Sequence, residues 1–159
     1  MKKAAIPLLA GLFLAATTAW AGDDGKALTA TDSIAFRAQR QEINRQLADG
    51  KTYSELERKQ RDEVTAALDR IDGALAEKGS VESMPEEMKL RVFNDQELVN
   101  TILTKGREDS RLFCTRETPS GSHRARTSCK TVAERRREHE RSTEALRQAQ
   151  RPVFLDPSH

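Results

Sequence analysis

Cys114-Thr-Arg-Glu-Thr-Pro-Ser-Gly-Ser-His-Arg-Ala-Arg-Thr-Ser-Cys129 holds both cysteines of the chain around a strong turn signal. A two-residue Gly121-Ser122 turn with glycine first suits the type II′ geometry of a β-hairpin. Counting outward from that turn in equal steps reaches Cys114 and Cys129 together, and sets Glu117 opposite Arg126. An opposite-charge cross-strand pair and a disulfide pair therefore agree on one register. The same counting makes the cysteines a hydrogen-bonded pair, with α-carbons expected about 5.5 Å apart. Closing a loop of about 15 residues contributes roughly 3 kcal/mol in the chain-entropy account. The spacing is far from Cys-x-x-Cys, so the bond reads as a staple rather than a redox pair. The disulfide hairpin is assigned to residues 107–131.

Downstream, Thr131-Val132-Ala133-Glu134 has the form of a capping box opening a charged helix over residues 132–151. Val132, Leu146 and alanines are its only apolar residues. Arg136 with Glu140 and Glu144 with Arg147 are spaced to pair along the helix, at a few tenths of a kcal/mol each. Pro152 ends it, and the tail 152–159 carries an apolar cluster, Val153-Phe154-Leu155, suited to docking on the body or on a partner.

Upstream, helical periodicity runs through residues 32–106. Phe36, Ile43 and Leu47 share a face before Gly50. Ser54-Glu55-Leu56-Glu57 reads as a capping box, followed by Leu56, Val64, Ala67, Leu68, Ile71 and Leu75 on one stripe closed by Gly79. Ser83-Met84-Pro85-Glu86 opens a third helix, with Met88, Val92 and Phe93 as its apolar side. Asn94-Asp95-Gln96-Glu97 reads as a further cap, leading a fourth helix with Leu98, Val99, Ile102 and Leu103 that ends near Gly106. The expected core packs Val64, Leu68, Ile71 and Leu75 against Leu98, Ile102 and Leu103. The fold class is thus mainly α: a small bundle of short helices, one disulfide-closed β-hairpin and a charged C-terminal helix.

At the start of the chain, Lys2-Lys3, the apolar run Ile6 to Ala16 and Ala19-Trp20-Ala21 have the layout of a signal peptide over residues 1–21. Cleavage is expected between Ala21 and Gly22, leaving no transmembrane segment. Residues 22–31 read as a flexible leader. The destination is the periplasm, an oxidising compartment that suits a disulfide.

The Cys114-to-Cys129 segment, together with Asn94-Asp95-Gln96-Glu97, resembles a hairpin found in small uncharacterised exported proteins of proteobacteria. The resemblance covers the C-terminal half. It implies export and a similar architecture, with no activity and no functional residue.

Composition narrows the function classes. From Gly22 onward, Leu, Ile, Val and Phe make up about 18% of residues, so the core is thin. Lys and Arg number 27 against 25 Asp and Glu, but the distribution is uneven. The region from Gly106 onward is arginine-biased and net basic, whereas the helical unit before it is net acidic. His123, His139 and His159 have no metal-ligand spacing, no Gly-x-Ser-x-Gly or phosphate-cradling glycine loop occurs, and no aromatic residue lies between Arg116 and Arg151 for stacking on nucleic acid. No catalytic residue, metal or cofactor is assigned. The expected function is a non-enzymatic binding or interaction protein of the envelope. Its basic face comprises Arg124, Arg126, Arg135, Arg136, Arg137 and Arg141, and meets an anionic envelope component or protein partner. A chaperone-like protein using the tail or a helical groove is the alternative within that class, and an envelope hydrolase the alternative from another. The sequence leaves oligomeric state open. It also leaves open whether these arginines instead pair with Glu134, Glu138 and Glu140.

Overall fold

In the computed structural model, residues 27–118, 120–121 and 123–150 are described. The signal segment with Ala21 and Gly22, the first part of the leader and the Val153-Phe154-Leu155 tail lie outside them. Four α-helices and one two-stranded antiparallel hairpin are found among the described residues. They are α1 (Ser33–Ala48), α2 (Arg58–Lys78), α3 (Glu86–Ser110), β1 (Leu112–Glu117), β2 (Arg126–Thr131) and α4 (Val132–Ala149), with one 3₁₀ turn at Val81–Ser83. The fold is mainly α, with the charged helix last.

Asp32 caps α1 by accepting hydrogen bonds from the amides of Ile34 and Ala35 at 3.0 and 2.9 Å. At the other end Gly50 takes the left-handed conformation, φ 66°. The stripe of α2 forms the centre of the molecule, with Val64, Ala67, Leu68, Ile71 and Leu75 buried together with Phe36, Ile43, Val92, Val99 and Leu103. Leu98 and Ile102 pack at its margin. Both α1 and α3 pack against α2, which leaves a groove between them.

Four expectations upstream of the hairpin are corrected. The box read at Ser54 starts no helix: α2 begins at Arg58, where Gln60 reaches back to the Glu57 amide at 3.0 Å. Leu56 precedes the helix as a buried core residue. The cap read at Asn94 is also absent, and α3 runs unbroken for 25 residues. Those polar side chains serve other elements. Asp95 accepts a forked pair of hydrogen bonds from Arg70 of α2, and Gln96 accepts the Ala30 amide at 2.8 Å. Gly106, read as a helix end, lies inside α3 against Leu56.

The fourth correction concerns residues 27–31, read as part of a flexible leader. Leu28 and Ala30 are buried. Asn100, one turn after Gln96, accepts from the Leu28 amide at 2.8 Å and donates to its carbonyl at 3.1 Å. Two amides on one helix face thus satisfy an extended backbone that would otherwise be left unpaired. A bridge between Asp32 and Ser80 then ties this segment to the end of α2.

The hairpin has the expected register: Cys114 faces Cys129 and Glu117 faces Arg126. The disulfide is formed. Its α-carbons are 4.0 Å apart, the close spacing of a non-hydrogen-bonded pair rather than the wider one expected. The base of the hairpin sets this parity. The Val132 amide donates to the Arg111 carbonyl at 3.0 Å, and alternation from that hydrogen-bonded pair makes Cys114 and Cys129 the other kind. A two-residue turn cannot close a ladder of that parity. The strands accordingly stop at Glu117 and Arg126, and Ser120 and Gly121 lie in a turn between them, with Gly121 at φ 82°.

Candidate functional site

The sequence singled out six arginines, and the structure divides them. Arg136 and Arg137, in the first turns of α4, point back onto the helical unit. Arg136 grips Asp109 of α3 with two nitrogens, at 2.8 and 3.2 Å. Arg137 reaches Glu55 at 2.8 Å, and the same carboxylate accepts the Thr131 hydroxyl at 2.6 Å. Hydrogen bonding from Arg136 holds the Asp109 carboxyl below its ordinary range. Hydrogen bonding from Arg137, then from Thr131, does the same for Glu55. These pairs replace the within-helix pairing with Glu134 or Glu140. Glu134 instead caps α4 by accepting the Thr131 amide at 2.8 Å, while Glu138 receives Lys130 of β2 at 2.6 Å.

Ala133 is the only α4 residue fully buried. The helix is therefore fastened to the body mainly by charge. Two arginines expected on a binding face are its fasteners.

The remaining four lie outward. Arg126 stands opposite Glu117, Arg124 follows the turn, and both are exposed. Arg135 sits over the Phe113 ring, 4.0 Å from its centroid. Arg141 lies one turn further along α4 and donates to the Arg137 carbonyl at 3.2 Å. Arg116, which the sequence reading left aside, is also exposed on the hairpin. From β1 through β2, solvent reaches nearly every residue on both faces, the cysteines included. Lys130 is half-buried and Thr131 buried at the foot.

A second feature lies in the groove between α1 and α3, a cleft of about 430 Å³. Leu28, Ile43 and Leu103 form apolar walls, and Tyr53, fully buried, lies at one end. There the Tyr53 hydroxyl donates to Gln46 Oε1 at 3.2 Å and accepts from Arg107 Nη2 at 3.1 Å. Glu42 lines the same cleft, and its carboxyl is held low by hydrogen bonds from Arg45, then Gln46.

No family model matches this chain, and no curated protein or solved structure is significantly similar to it.

Among the described residues no group of three His, Cys, Asp or Glu side chains is arranged to hold a metal, and no helix is long and apolar enough to cross a membrane. The cleft was not singled out by sequence. Its polar members, Gln46, Tyr53 and Arg107, come from three separate segments, and each is unremarkable in a chain this charged. The lone tyrosine was the one available signal.

Proposed function

We propose that this is an exported, non-enzymatic binding protein of the cell envelope, whose basic hairpin meets an anionic envelope component. The carrying observation is that the disulfide holds an element that buries almost nothing. A two-stranded hairpin is marginal on its own, and here a covalent staple keeps one extended into solvent. Arg116, Arg124 and Arg126 are exposed along it, Arg126 opposite Glu117. Arg135 and Arg141 continue the basic surface onto α4, whereas Arg136 and Arg137 are withdrawn from it to dock the helix. The guanidinium fork suits carboxylate or phosphate. The cleft gives less support to a hydrolase: Glu42, one of its two carboxylates, is held low by hydrogen bonding from Arg45 and so is a weak base near neutral pH.

Binding to vesicles of anionic lipid and to cell-wall fragments, at low and high salt, tests this reading. Replacing Arg116, Arg124 and Arg126 together by Gln is expected to weaken vesicle binding about a hundredfold, at roughly 1 kcal/mol per basic residue near an anionic surface. The disulfide and helix content should be unchanged. No binding at low salt, or binding unaffected by the triple substitution, would leave the hairpin as a solvated structural element. The intact mass of the exported form is expected to correspond to a chain beginning at Gly22.

A further inference from the structure

We infer that the cleft between α1 and α3 is a binding site for a small organic monocarboxylate carrying an apolar body, with Arg107 as the group that holds its carboxylate. The site is separate from the basic hairpin and does not depend on its role. Three observations carry the assignment.

Size and lining come first. A cleft of about 430 Å³ lies within the roughly 300–1,000 Å³ range of small-molecule sites, which combine apolar walls with a few placed polar groups. Here the walls are Leu28, Ile43 and Leu103, and Gln46, Tyr53 and Arg107 form one linked polar group within the lining.

The state of Arg107 comes second. Among the described residues its guanidinium meets no carboxylate. Its partners are neutral: the Tyr53 hydroxyl at 3.1 Å and Gln46 Oε1 at 3.4 Å, both from Nη2. Its Cζ lies 5.8 Å from the Tyr53 ring centroid, a contact that orients the cation. Gln46 is fixed in turn by donating to Glu42 at 2.6 Å. The Tyr53 proton is committed to Gln46, so the charged donors beside it for a ligand are those of Arg107. A guanidinium held half-buried beside apolar walls, with its Nε and Nη1 donors unclaimed among the described residues, matches a planar carboxylate with a hydrocarbon attached.

Charge selects the third element, a single negative charge. Glu42 and Glu108 also line the cleft. Arg45 grips the first at 2.8 and 2.5 Å, and Arg111 lies 3.8 Å from the second. With both acids paired, Arg107 leaves one positive charge, which a monoanion balances and a phosphate dianion exceeds.

Tyr53 is the only tyrosine in the sequence, so ring-labelled tyrosine gives one NMR signal that reports on this end of the cleft. The full chain would be titrated with octanoate, and separately with octanol and octylamine. The expected result is a saturable shift of the Tyr53 signal by octanoate, with octanol and octylamine at least tenfold weaker. Arg107→Gln should weaken octanoate about ten- to a hundredfold, the range of a lost charge-assisted hydrogen bond, while leaving octanol unchanged. Arg107→Lys, which keeps the charge but loses the fork, should fall between. Equal binding of octanoate and octanol would overturn the assignment, as would binding unaffected by Arg107→Gln in a variant that keeps its helix content. Asp23 and Asp24 precede the cleft-lining Ala27 by only a few residues. If octanoate fails to bind until both are replaced by Asn, the cleft belongs to the chain's own acids and the small-ligand assignment falls. Failure to bind octanoate in either background overturns it as well.

Discussion

Gly106 shows how a single residue can be read correctly by type and wrongly by role. Glycine after an apolar run suggests a helix end, yet here it occupies the interior of α3, where it costs about 1 kcal/mol relative to alanine. Its justification is tertiary. A β-carbon added at this position would lie 2.6 Å from Leu56 Cδ2 and 2.7 Å from its Cγ, too close for either. Gly106→Ala is therefore expected to destabilise the protein by about 1–3 kcal/mol despite the better helix propensity of alanine, read as a lower urea midpoint. A more stable Gly106→Ala protein would mean that Leu56 is not packed there. Arg61 was equally hidden, one basic residue among many. Its guanidinium donates to the carbonyls of Leu56, Leu47 and Tyr53 at 3.1, 2.7 and 2.6 Å, tying the loop between α1 and α2 to the second helix. Arg61→Lys cannot span three carbonyls in one plane. It should cost about 1.5–3 kcal/mol, with hydrogen exchange rising first in residues 49–57. No sequence pattern announces such a contact, because its acceptors are backbone atoms that any residues would supply.

At the scale of elements, apolar spacing was the dependable signal and polar caps the undependable one. The stripe from Val64 to Leu75 forms the core because a 3.6-residue period has one structural solution when a face must be buried. The motif Asn94-Asp95-Gln96-Glu97 fits a cap locally, but Asp95 and Gln96 find partners on α2 and on the extended segment before α1, and neither proline nor glycine interrupts the chain there. The hairpin was legible because register, disulfide and charge pair are coupled by one integer. Its parity was not, since the base of the ladder rather than the turn sets it. This element gives a direct prediction. Cys114→Ala should lower stability by about 3 kcal/mol at most, with the loss concentrated in β1, β2 and the start of α4. Since the strands bury almost nothing, exchange in α2 should scarcely change at temperatures well below melting. Equal loosening of α2 would show that the hairpin supports the core.

Across the whole molecule, two kinds of cohesion meet at Ser110. The helical unit is held by buried apolar side chains, including Phe36, Val64, Ile71, Leu75 and Val99, which salt does not screen. The hairpin and α4 are attached to it through Arg136–Asp109 and Arg137–Glu55, and to each other through Lys130–Glu138, with Ala133 as the sole fully buried α4 side chain. The arginines of the first two pairs are half exposed, so salt and acid can both reach the contacts. Asp109 and Glu55 titrate below their ordinary values of 3.8 and 4.5 in the folded protein. Their contribution is therefore complete above about pH 4.5, declines as pH falls through that range, and is gone below their folded values. Glu138, lowered by Lys130, follows the same course. Within the helical unit, Asp49 is lowered to about 2 by the Thr52 hydroxyl and nearby amides, so the loop after α1 keeps its turn through that window. Acidification from pH 6 to pH 3.5 should accordingly begin to loosen α4 before the core opens. Raising salt toward 1 M, where screening acts over about 3 Å, should do the same at neutral pH. Amide exchange resolved by residue checks this. Protection in α4 should fall with acid and with salt, while Leu68, Ile71 and Leu75 keep theirs. Simultaneous loss in α2 and α4 would instead make the chain one cooperative unit, with the ion pairs incidental to how its C-terminal third is held.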